Sequence, residues 1–128
     1  MEKITPDTNV LIAYFGNSPI AGPLLEAYIS NRKIILSIVV ISEFLVKATI
    51  KEEKILREFA KLAPVRNVDW EIADEAVKLR RETLRKTNIH MLDCFIAATA
   101  KISKATLLTF DRRDFPFKGL KLKEIKYA

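Results

Sequence analysis

Four short segments that read as strands, residues 2–5, 33–36, 65–68 and 105–110, alternate along the chain with stretches whose apolar residues recur at helical spacing. Strands separated by helices do not pair as hairpins. Each returns to the sheet by a crossover, so the alternation predicts an α/β fold with a central parallel sheet of four to five strands flanked by helices in three layers. Asp7-Thr8-Asn9 offers capping side chains for a short helix over 10–15, stopped at Gly16. Ser18-Pro19 and Gly22-Pro23 signal a second helix reaching about residue 30, and Ser37 can cap a third over 38–50. Ile55, Leu56, Phe59 and Leu62 share one face of a helix over 52–62, which Pro64 ends. Asp69 caps a long amphipathic helix with Trp70, Ile72, Ala76, Val77, Leu79 and Leu84 in its apolar pattern, and 91–102 is an apolar, Ala-rich helix. A last strand over 120–127, with Leu and Ile among lysines, carries its own protection as a sheet edge.

Composition narrows the class. Hydrophobic residues make up 49% of the 128 and charged residues 30%, a globular rather than a disordered balance, and no linker or repeat divides residues 1–128, so one domain is expected. The longest apolar stretch, 34–41, already contains Ser37, whereas a membrane span needs about 18 apolar residues. Pro6 and Asp7 interrupt the start before a secretory signal could form, and a lone Cys94 excludes an intrachain disulfide; both point to the cytoplasm. The net charge of +6 is uneven: residues 1–64 carry 8 basic and 7 acidic groups, residues 65–128 carry 14 and 9. Arg80-Arg81, Arg85-Lys86 and Arg112-Arg113 are the visible clusters. They read either as a solvated face or as contacts to a polyanion.

In open parallel sheets the ligand crevice lies at the carboxyl ends of the strands. Asp7 follows the first strand, Asp111 and Asp114 follow the strand ending at Thr109-Phe110, Asp93 lies in the first turn of the helix before that strand, and Glu43 lies one turn into the helix after the second. Glu43 and Asp93 stand in otherwise apolar surroundings, where an isolated carboxylate is very costly and needs a partner. Structural capping or a salt bridge would serve for either alone. As a set they want a cation, because two carboxylates ~4 Å apart repel by ~4 kcal/mol at an effective dielectric of 20. The donors are hard oxygens without His or Cys, which selects Mg²⁺ or Mn²⁺ over zinc. His90 and Cys94 cannot by themselves close a zinc site and read as a helix-start residue and a small core residue.

The segments Asp7-Thr8-Asn9-Val10-Leu11-Ile12, Ser42-Glu43-Phe44, Leu92-Asp93-Cys94-Phe95-Ile96-Ala97-Ala98-Thr99-Ala100 and Leu107-Leu108-Thr109-Phe110-Asp111-Arg112-Arg113-Asp114-Phe115 together resemble the four motifs of PIN-domain nucleases, the VapC-type toxins in particular. The resemblance spans nearly the whole chain. It implies a PIN-like fold and a Mg²⁺- or Mn²⁺-dependent endoribonuclease with Asp7, Glu43, Asp93 and Asp111 as catalytic and metal-holding acids. Thr8, Asn9 and Thr109 match the family's polar supports, and Asp114 falls at a commonly acidic position. It also implies a homodimer and a cognate antitoxin. Arg112 and Arg113, between two of the acids, are candidates for contacts to the RNA backbone, or else a solvated turn pairing with Asp111 and Asp114.

Other classes fit less well. A phosphoryl-transfer enzyme of the haloacid-dehalogenase type needs a second Asp where this chain has Asn9, and a phosphoacceptor receiver finds no suitable Asp–Lys pair in Asp69 and Lys118. The serious alternative is a PIN-like domain that binds RNA or a protein without cutting.

Overall fold

The computed structural model describes residues 1–126. Its elements run β1 (Ile4–Pro6), α1 (Thr8–Phe15), α2 (Ala21–Ser30), β2 (Leu36–Ser37), α3 (Ile38–Lys47), α4 (Ile50–Leu62), β3 (Val65–Arg66), α5 (Trp70–Glu82), α6 (Met91–Ile102), β4 (Thr106–Thr109) and β5 (Leu122–Glu124), with a 3-10 turn at Arg112–Asp114 between the last two. Every ladder is parallel.

The central sheet has three strands in the order β1-β4-β5, not the four to five expected. β2 and β3 form a separate two-stranded ladder, joined to β1 by one bridge at Ile4 and Ile34. The reason is local. Ile4 N donates to Lys33 O (2.8 Å) and Ile35 N to Ile4 O (2.9 Å), but two residues later Ser37 turns the chain into α3. Its hydroxyl accepts from Val39 N and Val40 N, so β2 ends before it can extend along β1.

Side chains alternate across a strand, so a strand buried at every position is covered on both faces. That holds for all of β1 and β4, which accordingly lie between helical layers. Val10, Leu25, Leu36, Leu56, Ile72, Leu79, Leu107 and Leu108 are fully buried. α6 is the central helix: Cys94 and Ile96 through Ala100 are buried, and its small residues let α5 pack along it.

Several boundaries move for identifiable reasons. The expected helix over 38–50 stops at Lys47, and α4 begins at Ile50, because Thr49 makes a capping box: its hydroxyl accepts from Glu52 N while Glu52 accepts from Thr49 N. α5 buries Ile72, Ala76 and Leu79, but Trp70 and Leu84, read as part of the same stripe, are exposed. α2 is capped not by its own first residue but by Ser18, whose hydroxyl accepts from Ile20 N and Ala21 N. The last strand spans Leu122–Glu124 rather than 120–127, and Tyr127 lies outside the described residues.

Leu108 is fully buried in β4, and its carbonyl accepts from Asp7 N at 2.9 Å, so its packing holds the end of β1 in place. Leu108→Ala is expected to cost about 2–5 kcal/mol of stability, measurable by urea unfolding.

Candidate active site

Asp7 leaves β1 and begins α1. The bond from its own N–H to Leu108 O fixes the backbone against β4, and its Oδ1 accepts from Val10 N at 3.0 Å, the N-cap bond of α1. The same side chain is 6% exposed. Burial pushes its carboxyl pKa up, against the lowering effect of the Thr109 hydroxyl and of Val10 N, and the charge of Asp114 pushes it further up.

Glu43, on α3, accepts from the Thr8 hydroxyl at 2.6 Å, which ties α1 to α3. Asp93 sits in the first turn of α6, where its Oδ2 accepts from His90 N at 2.9 Å, so the acid also satisfies the start of the helix. Its pKa is raised, chiefly by burial, with Asp114 and Glu43 adding repulsion and the His90 contacts opposing it. His90 itself is exposed at the cap position, and Cys94 is a buried core residue.

Asp7, Thr8, Asn9, Glu43, Asp93 and Asp114 line one cavity of about 170 Å³, walled by Ile96 and Phe115. Asp111 is not among its lining residues. Its carboxylate is engaged by Arg113 through Nε–Oδ1 (3.0 Å) and Nη2–Oδ2 (2.9 Å), and Oδ1 also accepts from Arg113 N. These bonds hold the Asp111 carboxyl below the usual range. Asp111 faces an adjoining open groove of about 1110 Å³ with Asn9, Arg112, Arg113, Asp114, Lys118 and Glu124. Thr109 supports the turn, its hydroxyl accepting from Asp111 N at 3.1 Å. Ile96, Phe115 and Glu124 were not singled out from sequence. Phe115 carried a signal, an apolar residue directly after the charged run Asp111-Arg112-Arg113-Asp114, and it is buried.

No Lys or Arg lines the acidic cavity, and among the described residues Asp7, Glu43, Asp93 and Asp114 form no ion pair with a basic side chain. This excludes the salt-bridge explanation for Asp93. The four carboxylates surround the hollow rather than closing on a point: among the described residues no three His, Cys, Asp or Glu groups stand together closely enough to clasp an ion as they are. Like charges without a counter-charge resist closing. The donor set fits a hard divalent cation, being entirely oxygen and strongly anionic.

The raised carboxyls of Asp7, Asp93 and Asp114 have a consequence for stability. A group whose folded pKa exceeds its unfolded value favours folding at low pH and loses that contribution as pH rises through the folded pKa. In chelator, Asp93→Asn is therefore expected to melt at or above the parent at neutral pH, the difference closing as pH falls to about 4. Thermal melts across that range check the sign; a loss of several degrees in the variant at neutral pH would contradict it.

The sequence profile of the PIN domain matches residues 4–119. No curated protein matches the chain significantly. Among solved structures, the chain is similar to a toxin–antitoxin complex from Klebsiella pneumoniae at 27% identity and a TM-score of 0.79, covering 96% of this chain and 100% of that one. It shares its fold with VapBC2 from Rickettsia felis bound to a promoter DNA fragment (22% identity, TM-score 0.79, 94% and 97% covered). DNA-bound VapBC from Salmonella typhimurium has the same fold (23%, 0.78, 97% and 98%). Because the profile match takes in every element from β1 to β4 and the turn that carries Asp111 and Asp114, the chain belongs to the PIN domain family.

Proposed function

We propose that the protein is a divalent-metal-dependent endoribonuclease, using Mg²⁺ or Mn²⁺, and that it acts as the toxin of a VapBC-type toxin–antitoxin pair. PIN domains of such systems are generally nucleases. The observation that carries the reading is the cavity at the carboxyl ends of β1 and β4, where Asp7, Glu43, Asp93 and Asp114 meet with no basic side chain among them. Asp7 is buried and Glu43 and Asp93 are half-buried without an internal counter-ion, which is costly to a fold, and a site built to hold a cation gives these charges a use.

In this reading Asp7, Glu43 and Asp93, with a fourth carboxylate from the Asp111–Asp114 turn, hold the metal. When bound, such an ion supplies a lowered water pKa and charge stabilisation at the attacking and leaving oxygens of the phosphodiester. The remaining duties fall to the chain. Val10 N and the Thr8 hydroxyl fix the directions of Asp7 and Glu43, and His90 N does so for Asp93. Ile96 and Phe115 give the cavity the apolar part of its wall. Arg112, Arg113 and Lys118 line the groove that opens beside it and offer charge to the RNA backbone. The products expected of hydrolysis on this side are a 5′-phosphate and a 3′-hydroxyl.

The toxin assignment draws on the likeness to toxin–antitoxin complexes, and a partner of that class would be expected to place an Arg or Lys in the acidic cavity. Homodimerisation is proposed through the early helices, where Ile12, Val46, Ile50 and Ile55 of α1, α3 and α4 are exposed. No helix among the described residues is long and apolar enough to cross a membrane.

Incubation with RNA in millimolar Mg²⁺ or Mn²⁺ is expected to give internal cleavage that excess chelator abolishes. Asp7→Asn and Asp93→Asn should each reduce the rate by on the order of 10² or more while the circular-dichroism spectrum is retained. Asn keeps the acceptor oxygen that caps α1, so loss of activity would report the charge and not the fold. Cleavage undiminished in chelator would overturn the metal-dependent reading, and RNA binding without cleavage in metal would favour a binding domain.

A further inference from the structure

The acids at the carboxyl ends of the strands have a counterpart at the amino ends, where the chain carries lysines. Thr106 N donates to Lys3 O (2.9 Å) and Leu107 N to Lys121 O (2.9 Å), which sets Lys3 and Lys121 on either side of β4. Their backbones are then about 10 Å apart, twice the strand spacing. Between them α6 ends in a Schellman motif, in which Ala105 N donates to Ala100 O (2.9 Å) and Lys104 N to Lys101 O (3.1 Å). Lys101, Lys104 and Lys121 line one cavity of about 210 Å³ with Ala100, Ala105 and Gly119, and no carboxylate is in its wall.

Local roles account for only part of this cluster. Lys101 Nζ is paired with Glu75 Oε1 at 2.7 Å, and Lys121 can help protect β5 as a sheet edge. Lys104 has neither use. Its φ of 55° is left-handed, at a helix end where glycine is favoured, yet the chain places a charge there. Among the described residues Lys3, Lys104 and Lys121 join no ion pair. A Cβ at Gly119 would stand 3.9 Å from Lys101 Nζ, so glycine keeps the space beside that ammonium open.

We propose that this lysine-lined cavity binds a backbone phosphate of RNA, at the end of the sheet opposite the acidic cavity. That the polyanion is RNA rests on the nuclease reading above, whereas the site rests on lysines that nothing else in the fold neutralises. Ammonium groups meet phosphate oxygens as point charges, so the cavity holds a strand without reading its sequence. The four residues of β4 put the two ends more than about 13 Å apart, so only a longer RNA can occupy both.

RNA binding in chelator, where the acidic cavity repels phosphate, tests this with a long unstructured strand. Lys104→Gly combined with Lys121→Gln should weaken binding about fivefold or more and reduce the slope of log affinity against log salt by about 1.4, or about 0.7 for each lost phosphate contact. Lys104→Gly alone should melt at or above the parent, because glycine suits the left-handed position, so the lost affinity is not lost folding. Lys51→Gln combined with Lys54→Gln removes the same charge from the exposed face of α4 and should stay within about twofold of the parent. Equal weakening by both pairs, or an unchanged salt slope in the first, overturns the inference. So does loss of oligoglutamate binding with RNA binding intact, which would mark a site for an acidic protein segment. Cleavage by the parent in Mg²⁺ is measured separately: a parent that cuts no RNA refutes the nuclease reading, while the binding comparison still decides this one.

Discussion

The carboxylate of Asp7 is buried where β1 meets β4, and the rest of the site is arranged around that fact. One oxygen caps α1, the backbone N–H is tied to Leu108 O, and the charge remains in a place where water cannot solvate it well. An Asn would start the helix as well, so capping accounts for the position but not for the charge. The same doubling recurs in the neighbours. Asp93 closes the first turn of α6 through His90 N, and Glu43 receives the Thr8 hydroxyl from α1. The bonds that begin the helices also aim the acids, so the site's rigidity comes from the elements that the fold needs in any case.

Net charge and local charge oppose each other in a way that suits a polyanionic substrate. The chain is +6 overall, with Arg112, Arg113 and Lys118 along the groove, yet the cavity beside them is anionic. Long-range attraction would draw a nucleic acid to the surface, while the cavity itself would repel a phosphate until a counter-charge neutralised it. Binding and cutting would thus depend on different parts of the same face, the first on basic side chains and the second on a cation among the acids.

Much of this was readable in the residues. Ser37, Asp69 and Gly16 mark helix boundaries through side-chain and backbone chemistry that acts within a few residues, and the structure has them at those boundaries. The sequence reading puts Asp7, Glu43, Asp93 and Asp111 together with Asp114 as a support, whereas the cavity is lined by Asp114 in place of Asp111. The Thr49-Ile50-Lys51-Glu52 capping box was legible too, and its omission displaced the boundary between α3 and α4. What sequence could not supply was tertiary. The width of the sheet depended on how far β2 runs beside β1 before Ser37 ends it, and the separation of Asp111 from Asp114 depended on which of them Arg113 reaches. Two acids three residues apart in a charged turn look equivalent until the turn is anchored by Glu124 and Phe115.

The central claim is that this cavity takes a divalent cation, and the most direct measurement is an anomalous difference map from crystals of the protein soaked in Mn²⁺. The account predicts a Mn²⁺ peak inside the cavity that Asp7, Glu43, Asp93 and Asp114 line. A saturating soak that leaves the cavity without a peak, or places the ion in the outer groove on Asp111 and Glu124, would contradict it.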